Sequence, residues 1–481
     1  MLENIIEERR KKLEKYKQTA DPYPAKVHRD MSLSDLLAHF DELEGKNSSL
    51  TVVGRVSAWR DQGKIIFLDI KDEFAKFQVV LNETECSDFT RAQETTDIGD
   101  FVEVSGIPFK TKRGEQSLLA KTFRIITKNL RPLPSEWYGI EDIELKLRKR
   151  YLDLALNPEV RDIFIKKDIF WTSIRSFLKG QKFHEVETPV LEAVPGGAEA
   201  EPFVTHHNSL DTDFYLRISL ELPLKRLLVG GFEKVFEIGR IFRNEGIDRE
   251  HLQDYTQMEC YWAYADYEDM MKLTREMYQN AIQNAFGTLT TRRGDFDINW
   301  AGEWPKVDYY EAFKKETGLD LAHATVSDLK KKAEELGIKL EPNLGRGRLI
   351  DLIYKKTVRP LLLQPCFLVN PPVDIEPLAK RLPEDADRVA RFQIIAAGTE
   401  LGKGFSELND PIDQRERFEE QMKLREAGDE EAQRIDEDFV EALEYGMPPA
   451  AGFGMSERLF AVLMDKPVRE TVIFPLMRKE E

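Results

Sequence analysis

The sequence predicts an α+β protein: a small N-terminal β-barrel followed by a larger domain in which long helices alternate with strands. Three observations carry this. Short β-type runs cluster over 50–127, helical periodicity and apolar strands alternate beyond Asp153, and 481 residues are too many for one simple core.

Taken in order, residues 1–20 are highly charged, with Leu2, Ile5, Ile6, Leu13 and Tyr16 loosely at helical spacing. This is the pattern of an exposed amphipathic helix. Its basic run Arg9-Arg10-Lys11-Lys12 suits either an RNA contact or a solvated face, and Asp21-Pro22-Tyr23-Pro24 ends it. The runs 50–56, 65–70, 77–81, 101–104 and 118–126 are short, rich in β-branched or aromatic residues and separated by glycine or polar breaks. Five such strands suit a Greek-key barrel of the OB-fold kind, and an SH3-like barrel would give nearly the same pattern. Leu130-Arg131-Pro132-Leu133-Pro134 reads as a linker. Over 162–178, Ile163, Ile169, Phe170, Ile174 and Phe177 can share one helix face. Glu185-Val186-Glu187-Thr188-Pro189-Val190 reads as a strand broken by proline, tolerated at an edge or interface. Four segments are expected: a helical extension over 1–48, the barrel over 49–130, a linker over 131–150 and the larger domain over 151–481.

Bulk properties narrow the function classes. No apolar run could span a bilayer, and the polar start Met1-Leu2-Glu3-Asn4 is not a secretory signal. Cys86, Cys260 and Cys366 form no CxxC pair, which speaks against a zinc site or a disulfide framework and for a reducing cytoplasm. Adjacent His206 and His207 on a strand would point to opposite faces, so shared metal ligation is not expected. The net charge of −17 disfavours nucleic acid as a whole-chain sum, but Lys110, Lys112, Arg113, Lys121, Arg124, Lys128 and Arg131 form a local basic region.

The chemistry lies in four stretches. Phe242-Arg243-Asn244-Glu245-Gly246 is followed by Met258-Glu259-Cys260-Tyr261, by 400–409 (ELGKGFSELN) and by 452–458 (GFGMSER). Guanidinium groups match phosphate oxygens bidentately, carboxylates suit a metal or a cationic substrate, and glycines let a nucleotide approach the backbone.

In this order the stretches resemble the catalytic domain of the class II aminoacyl-tRNA synthetases, most closely the lysyl members. The resemblance runs from the barrel to Phe474-Pro475-Leu476-Met477-Arg478 and is densest over 150–265 and 400–480. It implies an antiparallel sheet flanked by helices, a homodimer, and ATP-dependent ligation of L-lysine to tRNA(Lys) through lysyl-adenylate, with Mg2+. By the same resemblance Arg243 contacts the α-phosphate, Glu245 holds the adenosine region, His251 and Arg458 reach the γ-phosphate, Tyr255 stacks on adenine with Arg458 on its second face, and Glu400 holds Mg2+ with ATP. The lysine pocket falls on Gly197, Glu221, Glu259, Tyr261, Lys403 and Glu407, with Tyr261 and Glu407 at the ε-ammonium and Glu221 and Glu259 nearer the α-amino end. Glu185 to Pro189 resembles the dimer-building motif, and Arg60, Phe67 and Gln78 align with RNA-facing positions of the anticodon-binding barrel. There Phe67 would stack on a base, Gln78 would read a base edge, and Arg60 would serve stacking or phosphate.

The chain departs from the family pattern at four places. His251-Leu252-Gln253-Asp254-Tyr255 stands where HNPEF is common, and 452–458 is one residue short with two glycines of three. Gln393 occupies the position of the first of two metal-bridging glutamates, and Lys403 that of an asparagine. Lys403 has three open roles: pairing with the substrate carboxylate, pairing with Glu400, or facing solvent. Two other functions remain open, a paralogue that lysylates a protein and a non-catalytic RNA-binding or regulatory protein.

Overall fold

The computed structural model describes residues 2–134, 142–246, 252–340, 344–426 and 434–478, in two compact units, Met1–Glu141 and Asp142–Glu481.

In the first unit, β1 (Leu50–Asp61), β2 (Ile65–Lys71), β3 (Lys76–Asn82), β4 (Phe101–Lys110) and β5 (Gln116–Thr127) close a barrel in the order β1-β2-β3-β5-β4. The short helix Phe89–Thr95 lies between β3 and β4. This order, with the helix in that connection, is the OB arrangement and removes the SH3-like alternative. The two-residue period decides which side chains fill it: Ile66, Leu68 and Ile70 are buried inside, and Phe67 points outward, half-buried.

Three helices precede the barrel: Leu2–Lys17, Leu33–Ala38 and Phe40–Lys46. Leu33, Leu36 and Phe40 join the barrel core, so this extension shares one apolar cluster with the barrel. The first helix is not simply exposed. Leu13 and Tyr16 are buried, while Leu2 and Ile5 face solvent. Arg9 donates to Ile98 O and Asn129 O over 3.1 and 3.2 Å, and Lys12 pairs with Asp97 at 2.7 Å. Half of the basic run therefore fastens the helix to the barrel.

The boundary between the units falls inside the expected linker. Helices Ile143–Arg148 and Arg150–Leu156 belong to the second unit, where Arg150 is buried and pairs with Asp153 at 3.0 Å.

The second unit's strands are β6 (His184–Glu185), β7 (Leu191–Glu192), β8 (Val204–His207), β9 (Thr212–Leu216), β10 (Lys234–Phe242), β11 (Asp254–Ala263), β12 (Thr290–Arg293), β13 (Phe296–Asn299), β14 (Lys306–Asp308), β15 (Cys366–Val369), β16 (Arg381–Leu382), β17 (Asp385–Val389), β18 (Arg391–Ala396), β19 (Thr399–Ser406) and β20 (Ala450–Ser456). Among the described residues, eight of them form one sheet in the order β14-β15-β18-β19-β20-β11-β10-β6. All neighbours are antiparallel except the edge pairs β14·β15 and β10·β6.

The helices Pro158–Gly180 and Tyr267–Phe286 share a core cluster with this sheet, through Phe170, Ile174, Leu178, Met277, Tyr278 and Phe453 among others. The long helix is rotated from the expected face: Ile169 is 37% exposed, and Ser173 is buried in its stead. The first edge strand stops well before the proline. β6 covers only His184 and Glu185, and Thr188 is then held by Glu237, which accepts from its N–H and hydroxyl at 2.9 and 2.7 Å. Buried Arg217 completes the clamp with bonds to Glu237 at 2.7 Å and Thr188 O at 3.0 Å.

Candidate active site

A cavity of about 940 Å3 opens over β11, β20, β19 and β18. Gly197, Glu221, Arg243, Glu245, Tyr255, Glu259, Tyr261, Glu400, Lys403 and Arg458 all line it. Glu407 does not: it lies buried behind Gly452 and Tyr261. His251 lies outside the described residues.

The two arginines come from separate strand ends. Arg243 follows β10, donates from Nε to Ile218 O over 3.2 Å, and sits 5.8 Å from the centre of the Tyr255 ring. Arg458 begins the helix Arg458–Leu463 directly after β20 and donates to Glu400 O over 3.3 Å. Its Nε is buried and has no hydrogen-bond partner among the described residues. The shortened glycine stretch is kept in place by Glu457. That carboxylate is 1% exposed, accepts from Thr256 N–H at 2.8 Å and pairs with Lys167. Glu457 thus ties the turn carrying Arg458 to β11 and to the long helix. The ring of Tyr255 and the guanidinium groups of Arg243 and Arg458 border one space, suited to a planar base and a polyphosphate.

Gln393 and Glu400 lie on the adjacent strands β18 and β19, and the Gln393 amide donates to Glu400 Oε2 over 2.7 Å. No group of three or more His, Cys, Asp or Glu among the described residues could hold a metal by itself. One carboxylate beside one amide carbonyl still fits magnesium, which takes few protein ligands and completes its shell with water and phosphate.

Across the floor, Glu259, Gly454, Lys403 and Gln393 are successive cross-strand neighbours. Glu259 accepts from Leu220 N–H at 3.0 Å, from the Gln257 amide, and from the Tyr261 hydroxyl at 2.8 Å. With its proton given to Glu259, the Tyr261 oxygen is left as an acceptor. Lys403 pairs with Glu376 at 2.9 Å, a partner the sequence reading did not foresee. Glu376 is 2% exposed and also meets Arg391 at 3.2 Å. Burial pushes its pKa up, but Lys403 and Arg391 outweigh that and hold it below the usual carboxylate range. Gly197 sits at φ +80°, and a Cβ there would meet Ser219 Oγ at 2.6 Å. Glycine is the residue that tolerates both the conformation and the approach.

The larger omission of the sequence reading is Lys225. It is fully buried on helix Glu221–Val229, one turn after Glu221. Its ammonium pairs with Glu221 at 2.6 Å and with Glu407. Burial pushes Glu221 up to about 7 and Glu407 well above its ordinary value, and in both Lys225 pulls the other way. An (i, i+4) Glu–Lys pair was visible in the sequence, but such pairs mostly lie on solvated faces. Only the flanking Leu222, Leu224 and Leu228 hinted at burial.

In the barrel, Arg60 and Phe67 are direct cross-strand partners, and Asp69 opposes Gln78. Asp69 is buried and pairs with Arg60 at 3.2 Å and Lys76 at 2.9 Å. Gln78 accepts from the Ser117 hydroxyl at 2.9 Å. The three residues expected to face RNA thus share one outer patch. His206 and His207 are both exposed, and the His206 ring is hydrogen-bonded to Asp213 at 2.9 Å.

Residues 142–478 match the family model described as tRNA synthetases class II (D, K and N), and residues 50–126 match that of the OB-fold nucleic acid binding domain. A lysine--tRNA ligase of Moorella thermoacetica is 47% identical over 466 residues, covering 96% of this chain and 95% of the relative. That of Carboxydothermus hydrogenoformans is 43% identical, covering 100% and 99%. That of Bacillus subtilis is 40% identical, covering 99% and 98%.

Proposed function

The chain belongs to the lysine--tRNA ligase family of the class II tRNA synthetases, and from that premise we propose how its residues carry out the ligation of L-lysine to tRNA(Lys). The lysine carboxylate attacks the α-phosphate of ATP, giving lysyl-adenylate and pyrophosphate. The 3′-hydroxyl of the terminal tRNA ribose then attacks the lysyl carbonyl, and AMP leaves. Neither step asks much of side chains as acids or bases. The barrier lies in bringing anions together and stabilising charge at phosphorus, which positioned cations do.

Arg243 takes the α-phosphate and Arg458 the γ-phosphate, with adenine between the Tyr255 ring and Arg458; their shared cavity supports this. Glu245 borders the same space for the adenosine region, and His251 is proposed from the family pattern alone. Glu400 and the Gln393 carbonyl would hold Mg2+ with ATP. When bound, the ion supplies positive charge to the phosphates.

Lysine lies on the floor, its α-amino group toward Glu259 and Glu221 and its carboxylate toward Lys403 and Arg243, with the Gly197 carbonyl beside it. Its ε-ammonium points to Tyr261 and Glu407. The observation that carries this reading is the arrangement itself, two arginines above a floor of buried carboxylates in one cavity. A buried ammonium needs such anions, and a neutral side chain would leave them unpaired.

The barrel patch of Arg60, Phe67 and Gln78 is assigned to the anticodon. Val190, Leu191, Val194 and Val204 leave apolar surface exposed beside the proline-broken strand, which supports a homodimer there. No helix among the described residues is long and apolar enough to cross a membrane. The three free, buried cysteines support a cytoplasmic setting. Charging of unfractionated tRNA with radiolabelled lysine tests the proposal. Lysine should enter acid-precipitable tRNA only with ATP present, and a folded protein that charges none would favour the regulatory alternative.

A further inference from the structure

Two buried carboxylates, Glu221 and Glu407, serve the amino-acid pocket, and one protein cation already lies between them. Lys225 Nζ lies between Glu221 and Glu407, 5.3 Å from the centre of the Phe405 ring and 5.9 Å from that of Phe439. Its helix is set by Leu222, Leu224 and Leu228, all in the core, so the ammonium cannot swing to solvent. Glu407 is packed from the other side: a Cβ at Gly452 would overlap both its Oε1 and the Tyr261 ring. Gly452 and Tyr261 line the cavity, and Glu407 lies directly behind them.

We propose that Lys225 is a specificity-determining residue of this pocket, a resident ammonium that favours the ionised forms of Glu221 and Glu407 and aims them, so that the pocket meets the two ammonium groups of an incoming lysine with anionic oxygen. Lys225 acts through the two glutamates and does not itself touch the substrate. The inference rests on the reading of this cavity as the lysine site. Two carboxylates this close, without a cation, share a proton, and a protonated carboxyl is a poor partner for an ammonium. The other groups facing the pair are Glu259 and Tyr261 on β11, Lys403 on β19, and Glu376, which itself sits on Lys403. The helix Glu437–Glu444 faces Lys225 with the Phe439 ring. Among these, Lys225 is the cation in direct contact with both glutamates.

The test follows the KM for lysine in ATP–pyrophosphate exchange from pH 6 to 9.5, for the full chain, Lys225→Met and Lys225→Arg, with folding checked by thermal melting. In Lys225→Met the lysine KM should rise by about 100-fold at pH 7, the order expected for breaking a buried ion pair. The pH at which KM stops falling should move up by about one unit or more, while the KM for ATP stays within about threefold. Lys225→Arg, which keeps the charge, should leave that pH in place. A KM raised by the same factor at every pH in Lys225→Met would make Lys225 a packing residue and overturn the proposal. If Lys225→Met does not fold, Lys225→Arg decides, since an upward shift of its profile would overturn it equally. Absence of lysine-dependent exchange in the unmodified protein would instead overturn the functional reading, whatever the variants do.

Discussion

Gln393 donates its side-chain amide to Glu400 Oε2 over 2.7 Å, on neighbouring strands of the active-site sheet. An amide stands where a second carboxylate would otherwise offer an anionic oxygen, and it also occupies one oxygen of the first. Magnesium is therefore to be held mainly by phosphate and water. Gln393→Glu should lower the magnesium concentration for half-maximal ATP binding, by about tenfold for one added carboxylate ligand. Equilibrium binding of a fluorescent ATP analogue across a magnesium titration reads this directly, and an unchanged midpoint counts against it.

Lysine binding should weaken in acid. Burial pushes Glu221 up to about 7 and Glu407 well above its ordinary value. Both must be ionised to face an ammonium, so binding releases a proton. The sign follows: below about pH 7 the lysine KM rises as pH falls, by at most about tenfold per unit for each proton. A lysine KM flat from pH 8 to 6 would contradict this.

Lys403 is tied to Glu376 yet faces the cavity beside Gly454. Lys403→Asn leaves buried Glu376 with Arg391 alone. The protein should lose about 1–3 kcal/mol of stability, as for a buried charged group losing a partner. The lysine KM should rise about tenfold with loss of a charge-assisted contact to the substrate carboxylate. A variant with unchanged KM and kcat would exclude a role in binding.

Phe67 points away from the barrel core and pairs across the strands with Arg60. Phe67→Ala should raise the KM for tRNA by about 10- to 100-fold, the worth of one stacked base. Lysine-dependent pyrophosphate exchange should stay unchanged. Loss of both activities together would indicate a damaged fold.

Much of this was legible in the sequence where the signal is local. The alternation Ile66–Phe67–Leu68 separates barrel interior from exterior, and the runs FRNEG and GFGMSER place both arginines at strand ends. What stayed hidden depends on distant partners. Lys225 and Glu221 read as an ordinary surface pair until Glu407, far along the chain, is brought against them. Glu376 carries no motif, and its meaning arises only when β18 and β19 bring Arg391 and Lys403 to it. Ile169 was misplaced because helix periodicity fixes a face only to within a residue or so, and packing against neighbouring elements chooses between the options.

The most direct measurement is ATP–pyrophosphate exchange with each standard amino acid in turn. Exchange with lysine, exceeding that with any uncharged amino acid by about 10⁴-fold, is the predicted result for a pocket of buried carboxylates. Exchange with another amino acid at a comparable rate, or none with lysine whether tRNA is present or not, would contradict the account.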